Sequence, residues 1–517
     1  MFPALLLAMV LLFLLSWPIE WSLDLWVFKD RGSFLNLDYL LDQHLRLGVD
    51  TYYSYGLLPV LVQRLMFAMF GRGPWSLLPV HAAYVLLMAL IWTCLLQSIA
   101  DRPAWARAAV VLVPIMVWVN PNLPYVLVQL SLLGSLALLL RGRADYALAV
   151  GVIGCFSVPS LPLLYCGSLA LWIAFDAWRG RKGRAFCVRQ VAPGVLTFLL
   201  TGLLLAGFFG FQPVLATALP TQGSAHYQAA GYGVLTSLGT FLFPGRDTVL
   251  HGSLLRYYLF DRASWWMLST AVLTVLAGYA AYLLLFESQA RTARTAATLA
   301  AVVLCALVQL AFALVAYGPP GQHVIYDPVL LAGTLVGLGT LPIGRVRTAL
   351  AWTCVCCGFL GGISQAAYTY SQWRDTRPTQ TAYHFYAPPG FSRDWAPIAR
   401  VARTQRVLLL AYSTGIHHYF TNIDSPDAWT MNLAQLFPGD HDRLLEKIRG
   451  ARFVAEDLTS PNRLFQTDPQ FRAALARLCP LAVNGSFLLW SAPPRSSDGR
   501  EDSHSCDKSD GEADTVL

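Results

Sequence analysis

The chain has 517 residues, of which 56% are hydrophobic and only 13% charged, about half the roughly 25% charged share of a soluble domain. So few charges cannot cover a water-soluble protein of this size. This excludes a cytosolic enzyme, a secreted disulfide scaffold and a disordered regulator, and puts most of the chain in lipid. The formal net charge of +7 is no sign of nucleic-acid binding: all but four of the 37 basic residues are arginine, in small clusters between apolar runs, with no basic stripe interleaved with aromatics.

A span needs about 20 apolar residues. Eleven runs are read as spans: 3–20, 75–98, 106–119, 123–140, 146–158, 161–178, 190–211, 265–286, 297–316, 325–341 and 349–370. The fifth and sixth are short and share one apolar stretch, broken at Ser157-Val158-Pro159-Ser160-Leu161-Pro162. Two prolines there predict a tight hairpin rather than one long kinked helix. With the N-terminus inside, the inner loops hold Arg102 and Arg107; Arg141 and Arg143; Arg179, Arg181, Lys182, Arg184 and Arg189; Arg291 and Arg294; Arg345 and Arg347. The short outer turns at 120–124, 159–162 and 317–324 hold no Lys or Arg. The positive-inside rule therefore predicts an all-α polytopic membrane protein of about eleven helices, N-terminus cytoplasmic and C-terminus outside.

Long segments then lie outside at 21–74, 212–264 and 371–517. Residues 1–370 are read as the membrane domain carrying the first two of these loops. Residues 371–493 are read as a small periplasmic α/β module: "RVLLLAY" (406–412), "RFVAED" (452–457) and "FLLWS" (487–491) as strands, "DHDRLLEKIRG" (440–450) and "DPQFRAALARL" (468–478) as helices. Residues 494–517 are Ser/Asp/Glu-rich and are expected to be disordered.

The first outer loop carries the densest chemistry. Leucines at 35, 37, 40, 41, 45 and 47 predict an amphipathic helix in the interface, with Asp38 and Asp42 toward water and Asp50 beyond. "LPVLVQRLMFAMFG" (58–71) predicts a second helix, started by Pro59 and stopped by Gly71. Glycosyl transfer from a lipid phosphate needs a base for the acceptor proton and a cation for the leaving phosphate. A partly desolvated carboxylate at the membrane surface suits the first role. Dense Tyr and Trp suit sugar stacking and interface anchoring.

This layout resembles the GT-C superfamily, multi-span glycosyltransferases that use polyprenyl-phosphate-linked sugars, among them protein O-mannosyltransferases and lipid A aminoarabinose transferases. Asp38 takes the family's acidic position and Gly48 its following glycine. Asp50, Tyr52, Tyr53 and Tyr55 match the aromatic patch, Gly56-Leu57-Leu58-Pro59 the turn, and Phe70-Gly71 the helix end. The sequence departs from the family where Tyr39, not a second acid, follows Asp38, and where the turn reads "GLLP". The resemblance implies a polyprenyl-phosphate-linked sugar donor, a glycan, lipid or protein acceptor, and catalysis at the outer face of a bacterial inner membrane. It implies Asp38 as base, with Asp50 and Asp42 as further catalytic candidates, and Tyr52, Tyr53 and Tyr55 at the sugar.

Later outer segments offer groups for the donor phosphate. Arg246, His251, Arg256 and Tyr257 lie in 212–264, with Arg256 the first choice because arginine binds phosphate bidentately. His323 sits at the membrane edge in "YGPPGQHVIYDP" (317–328). Eight of ten cysteines lie in or beside apolar runs, and no metal site or other cofactor is read from the chain. Two rival readings remain: a flippase or transporter of a lipid-linked sugar, and a non-catalytic subunit of a glycan-assembly machine. The first is disfavoured by the lack of an internal repeat. The second is kept open by the missing paired acid.

Overall fold

All eleven apolar runs are helical in the computed structural model. It describes residues 2–20, 38, 41–42, 55–71, 74–99, 103–118, 123–180, 183–218, 262–286, 293–315, 326–374, 377–378, 386–387, 391–411, 429–430, 440–458, 468–484 and 487–493. These fall into two units, one of Met1–Trp17, Ser54–Leu65 and Leu77–Ser371, the other of Pro18–Tyr53, Met66–Ser76 and Gln372–Leu517.

The first unit is a helix bundle. In chain order its helices are α1 (Phe2–Glu20), the start of α2 (Leu58–Phe70), α3 (Leu78–Ser98), α4 (Ala104–Trp118), α5 (Leu123–Leu140), α6 (Ala144–Ile153), α7 (Ser160–Arg179), α8 (Arg184–Phe209) and α9 (Phe211–Ala218). There follow α10 (Arg262–Phe286), α11 (Ala293–Val315), α12 (Asp327–Thr340) and α13 (Arg345–Arg374). Among the described residues, seven stretches are long and apolar enough to cross a membrane: in α3, α5, α7, α8, α10, α11 and α13. The apolar parts of α1, α4 and α12, and α6 with its 3-10 extension, are shorter. In α12 the reason is packing. Every residue from Asp327 to Leu338 is buried, so protein rather than lipid surrounds this helix and its length need not match the bilayer.

The α6–α7 break is a hairpin. Gly154 faces Ser131 and Pro162, while Gly151, one turn back, faces Ser135 and Cys166. Stepping back along α6 thus steps forward along both α5 and α7, as only antiparallel neighbours do. A 3-10 turn at Gly154–Phe156 tightens the end of α6 before Pro159 opens α7.

Polar contacts join helix ends. Arg141 donates to Cys94 Sγ at 3.0 Å, Arg179 donates to the Leu284 carbonyl, and the Arg347 guanidinium lies 5.5 Å from the Trp105 ring centre. Toward the opposite end, Trp266 Nε1 donates to Gln309 Oε1 at 3.3 Å, and Gln309 Nε2 donates to the Tyr326 carbonyl at 2.9 Å. That chain of bonds ties α10, α11 and the start of α12 together.

In the second unit a sheet of order β4-β3-β5-β7-β6 joins β3 (Val407–Ala411), β4 (Trp429–Thr430), β5 (Phe453–Asp457), β6 (Cys479–Asn484) and β7 (Phe487–Ser491). Strands β3, β4 and β5 run parallel, and β7 and β6 antiparallel to their neighbours. The continuous apolar run of β3 suits a central parallel strand covered on both faces. Helices α15 (Asp440–Gly450) and α16 (Pro469–Leu475) cover one face with Leu444, Leu445, Ile448, Phe471 and Leu475, packed on Leu408, Leu410 and Val454. A further helix, α14 (Phe391–Ala402), packs Trp395 against Phe487 with ring centres 4.8 Å apart. Before it, β1 (Arg377–Pro378) pairs antiparallel with β2 (Tyr386–Ala387). The α/β expectation for this region holds; α14 and the edge strand β6 were not foreseen.

Candidate active site at the first inter-helix loop

Asp38 and Asp42 are each helical. Asp38 is 1% exposed, so it is not on the wet face that leucine spacing predicted; Asp42 is partly exposed. A carboxylate this deep is held by the fold around it, since burying a charge without partners is costly.

The loop returns to the bundle at Tyr55, and the geometry there is specific. Tyr55 is half-buried, and its hydroxyl is 2.9 Å from that of the buried Tyr125, with the rings edge to face at 6.1 Å and 70°. Gly56 N–H donates to the Ser157 carbonyl at 2.9 Å. A Cβ on Gly56 would collide with the Phe156 carbonyl, so only glycine admits this approach of two backbones. Ser157 Oγ in turn donates to the Pro124 carbonyl at 2.8 Å. Three turns thus meet: the end of the first loop, the start of α5 and the α6–α7 hairpin. Leu57 and Val60 then bury as α2 begins. The helix stops where expected, at Gly71, which takes a φ of 79° and donates to the Phe67 carbonyl at 2.9 Å.

Of the residues singled out from sequence, Asp38, Asp42 and Tyr55 are described. Asp50, Tyr52, Tyr53, Arg246, His251, Arg256, Tyr257 and His323 lie outside the described residues. Sequence reading missed Tyr125 and Ser157. The only signal for Tyr125 was the aromatic at the end of "WVNPNLPY", which reads as an ordinary interfacial turn, and Ser157 was read as part of a bend alone.

This fold, a helical bundle with a small α/β module toward the C-terminus, has a likeness among solved structures. The particular likeness is to ArnT. The crystal structure of ArnT from Cupriavidus metallidurans bound to undecaprenyl phosphate matches with a TM-score of 0.51 at 12% identity, over 95% of this chain and 98% of that one. The apo structure of the same protein matches at 0.48 and 11% identity, over 94% and 98%. No protein-family model matches the sequence, and no curated protein does.

Proposed function

We propose that the protein is an integral membrane glycosyltransferase that moves a sugar from a polyprenyl-phosphate donor to a glycan, lipid or protein acceptor. Its chemistry takes place at the outer face of a bacterial inner membrane. The observation that carries this reading is the whole-length fold likeness to a protein solved with undecaprenyl phosphate, joined to a buried acid at the expected place in the first loop. Arginine clusters at one set of helix ends support a cytoplasmic N-terminus. Cys479 on β6 is disulfide-bonded, which supports placing the α/β module of 371–493 on the oxidising side.

In this reading Asp38 takes the proton from an acceptor hydroxyl or amine. The acceptor atom bonds to the anomeric carbon as the bond from that carbon to the phosphate oxygen breaks. The polyprenyl phosphate leaves with the electron pair, its charge held by Arg256, with Arg246, His251, Tyr257 and His323 as further donors. Asp50 is the second candidate base and Asp42 the third; Tyr52, Tyr53 and Tyr55 hold the sugar. The test is transfer from a polyprenyl-phosphate sugar by the reconstituted protein. Asp38→Asn is expected to lower turnover about 10²–10⁴-fold, the range of general-base catalysis. Near-wild-type transfer by a folded Asp38→Asn protein removes Asp38 from this role, and loss in Asp50→Asn alone moves the base there. A wild type that transfers from no such donor favours a flippase or a non-catalytic assembly subunit.

A further inference from the structure

Tyr125 and Ser157 stand outside the acidic loop, yet with Gly56 they fix the point at which it rejoins the bundle. The Tyr55–Tyr125 hydroxyl pair, the Gly56-to-Ser157 backbone bond and the Ser157-to-Pro124 bond act in series, each at 2.8–2.9 Å. Their supports are rigid. Ser157 is fully buried, Phe156 packs on Phe198 at 4.9 Å between ring centres, and Gly154 is wedged against Ser131 and Pro162. The contact also spans very different sequence separations: position 55 pairs with 125, 56 with 157, and 157 with 124. Ordinary loop packing does not require a backbone–backbone bond that excludes every side chain but hydrogen.

We propose that Tyr125, Ser157 and Gly56 form a clasp that sets the return point of the first loop, making Tyr125 and Ser157 positioning residues for the transfer reaction. This rests on the glycosyltransferase reading. The clasp acts through Tyr55, whose hydroxyl Tyr125 holds: small misplacements of a group near reacting atoms slow the reaction steeply. The catalytic step then depends on the clasp, while binding of the donor's lipid and phosphate does not.

The test uses full-length protein in lipid nanodiscs. Tyr125→Phe keeps the ring and removes the hydroxyl. Ser157→Ala removes the bond to Pro124 and keeps the carbonyl that Gly56 uses. Each is expected to lower kcat about 10-fold with donor KM within about twofold, and Gly56→Ala about 100-fold. Hydrogen exchange over residues 30–57 should quicken in each variant, with the unfolding midpoint of Tyr125→Phe unchanged. Wild-type kcat and wild-type exchange in Tyr125→Phe and Ser157→Ala overturn the clasp. So does a uniform loss of stability with no loop-specific exchange, which marks plain packing. Should Gly56→Ala fail to fold, the other two variants decide. A wild type without transferase activity defeats the functional reading alone, because the exchange measurement still tests the clasp.

Discussion

Glu456 shows what one misplaced-looking residue does in this protein. It is 2% exposed on β5, on the same side of the strand as Val454 and opposite Leu410, under the face that α15 and α16 cover. Burial pushes its carboxyl pKa up, against the Arg472 guanidinium and the Trp490 indole, which pull it down. The folded state therefore holds this proton more tightly than the unfolded chain. That stability is fully present below the ordinary glutamate value and is lost as pH rises through the raised one. Glu456→Gln should stabilise the α/β module at pH 8 and change little at pH 4, read as the unfolding midpoint of the module in the whole protein. An equal effect at both values would refute the assignment. At this scale the sequence was only partly legible. Asp38 was legible as a candidate because an acid soon after a first span is a local pattern. Its burial was not, because that depends on what the rest of the chain lays over it. Tyr125 and Ser157 gain their meaning from partners 70 and 101 positions away.

Among the elements, those with a clean local signal were found and those built by context were missed. The ends of α2, from Pro59 to Gly71, and of β7, at 487 and 491, fall where turn and pattern residues put them. Helix α14 is the exception: Trp395, Ile398, Val401 and Ala402 are buried at helical spacing, a local signal that Pro397 masked in the sequence. Strand β6 begins Cys479-Pro480 and has an irregular register between Pro480 and Ala482, the mark of an edge strand rather than of a repeat in sequence. Helix α16 was legible as an amphipathic run, and the structure adds its cap. Asp468 Oδ1 accepts from Gln470 N at 2.8 Å and Phe471 N at 3.2 Å, while Oδ2 is 3.0 Å from His441 Nε2 on α15. Partial burial alone would raise this carboxyl, but His441 and the two backbone N–H groups outweigh it and hold it below the usual aspartate value. Its contribution is present above the ordinary value and lost as pH falls below it. Asp468→Ala should cost about 1 kcal/mol at pH 7, seen as faster hydrogen exchange of α16, with the difference closing as pH falls through the lowered value. No change at pH 7 would show that the cap is idle.

For the molecule as a whole, the alternation of helices was readable from composition: long apolar runs are separated by polar segments in which arginines cluster. The number of full-length spans was less readable, because a helix such as α12 that is enclosed by others is freed from the bilayer's length rule. Sidedness is the prediction that belongs here. With the eight free cysteines replaced, Lys182→Cys should be shielded from an impermeant thiol reagent applied outside, and Asp440→Cys should react. Equal protection of both would discard the topology.

The bond from Arg179 to the Leu284 carbonyl bears on how the protein is made. Its partners are 105 residues apart, so α7 is synthesised and inserted well before α10 exists. On the proposed topology the end of α7 lies at the cytoplasmic surface, where anionic headgroups attract arginine, so until then lipid is the partner expected for this guanidinium. Insertion of α10 is then expected to exchange a headgroup for the Leu284 carbonyl at this one arginine. Membranes poor in anionic lipid should then slow the maturation of the newly made chain while leaving the finished protein intact.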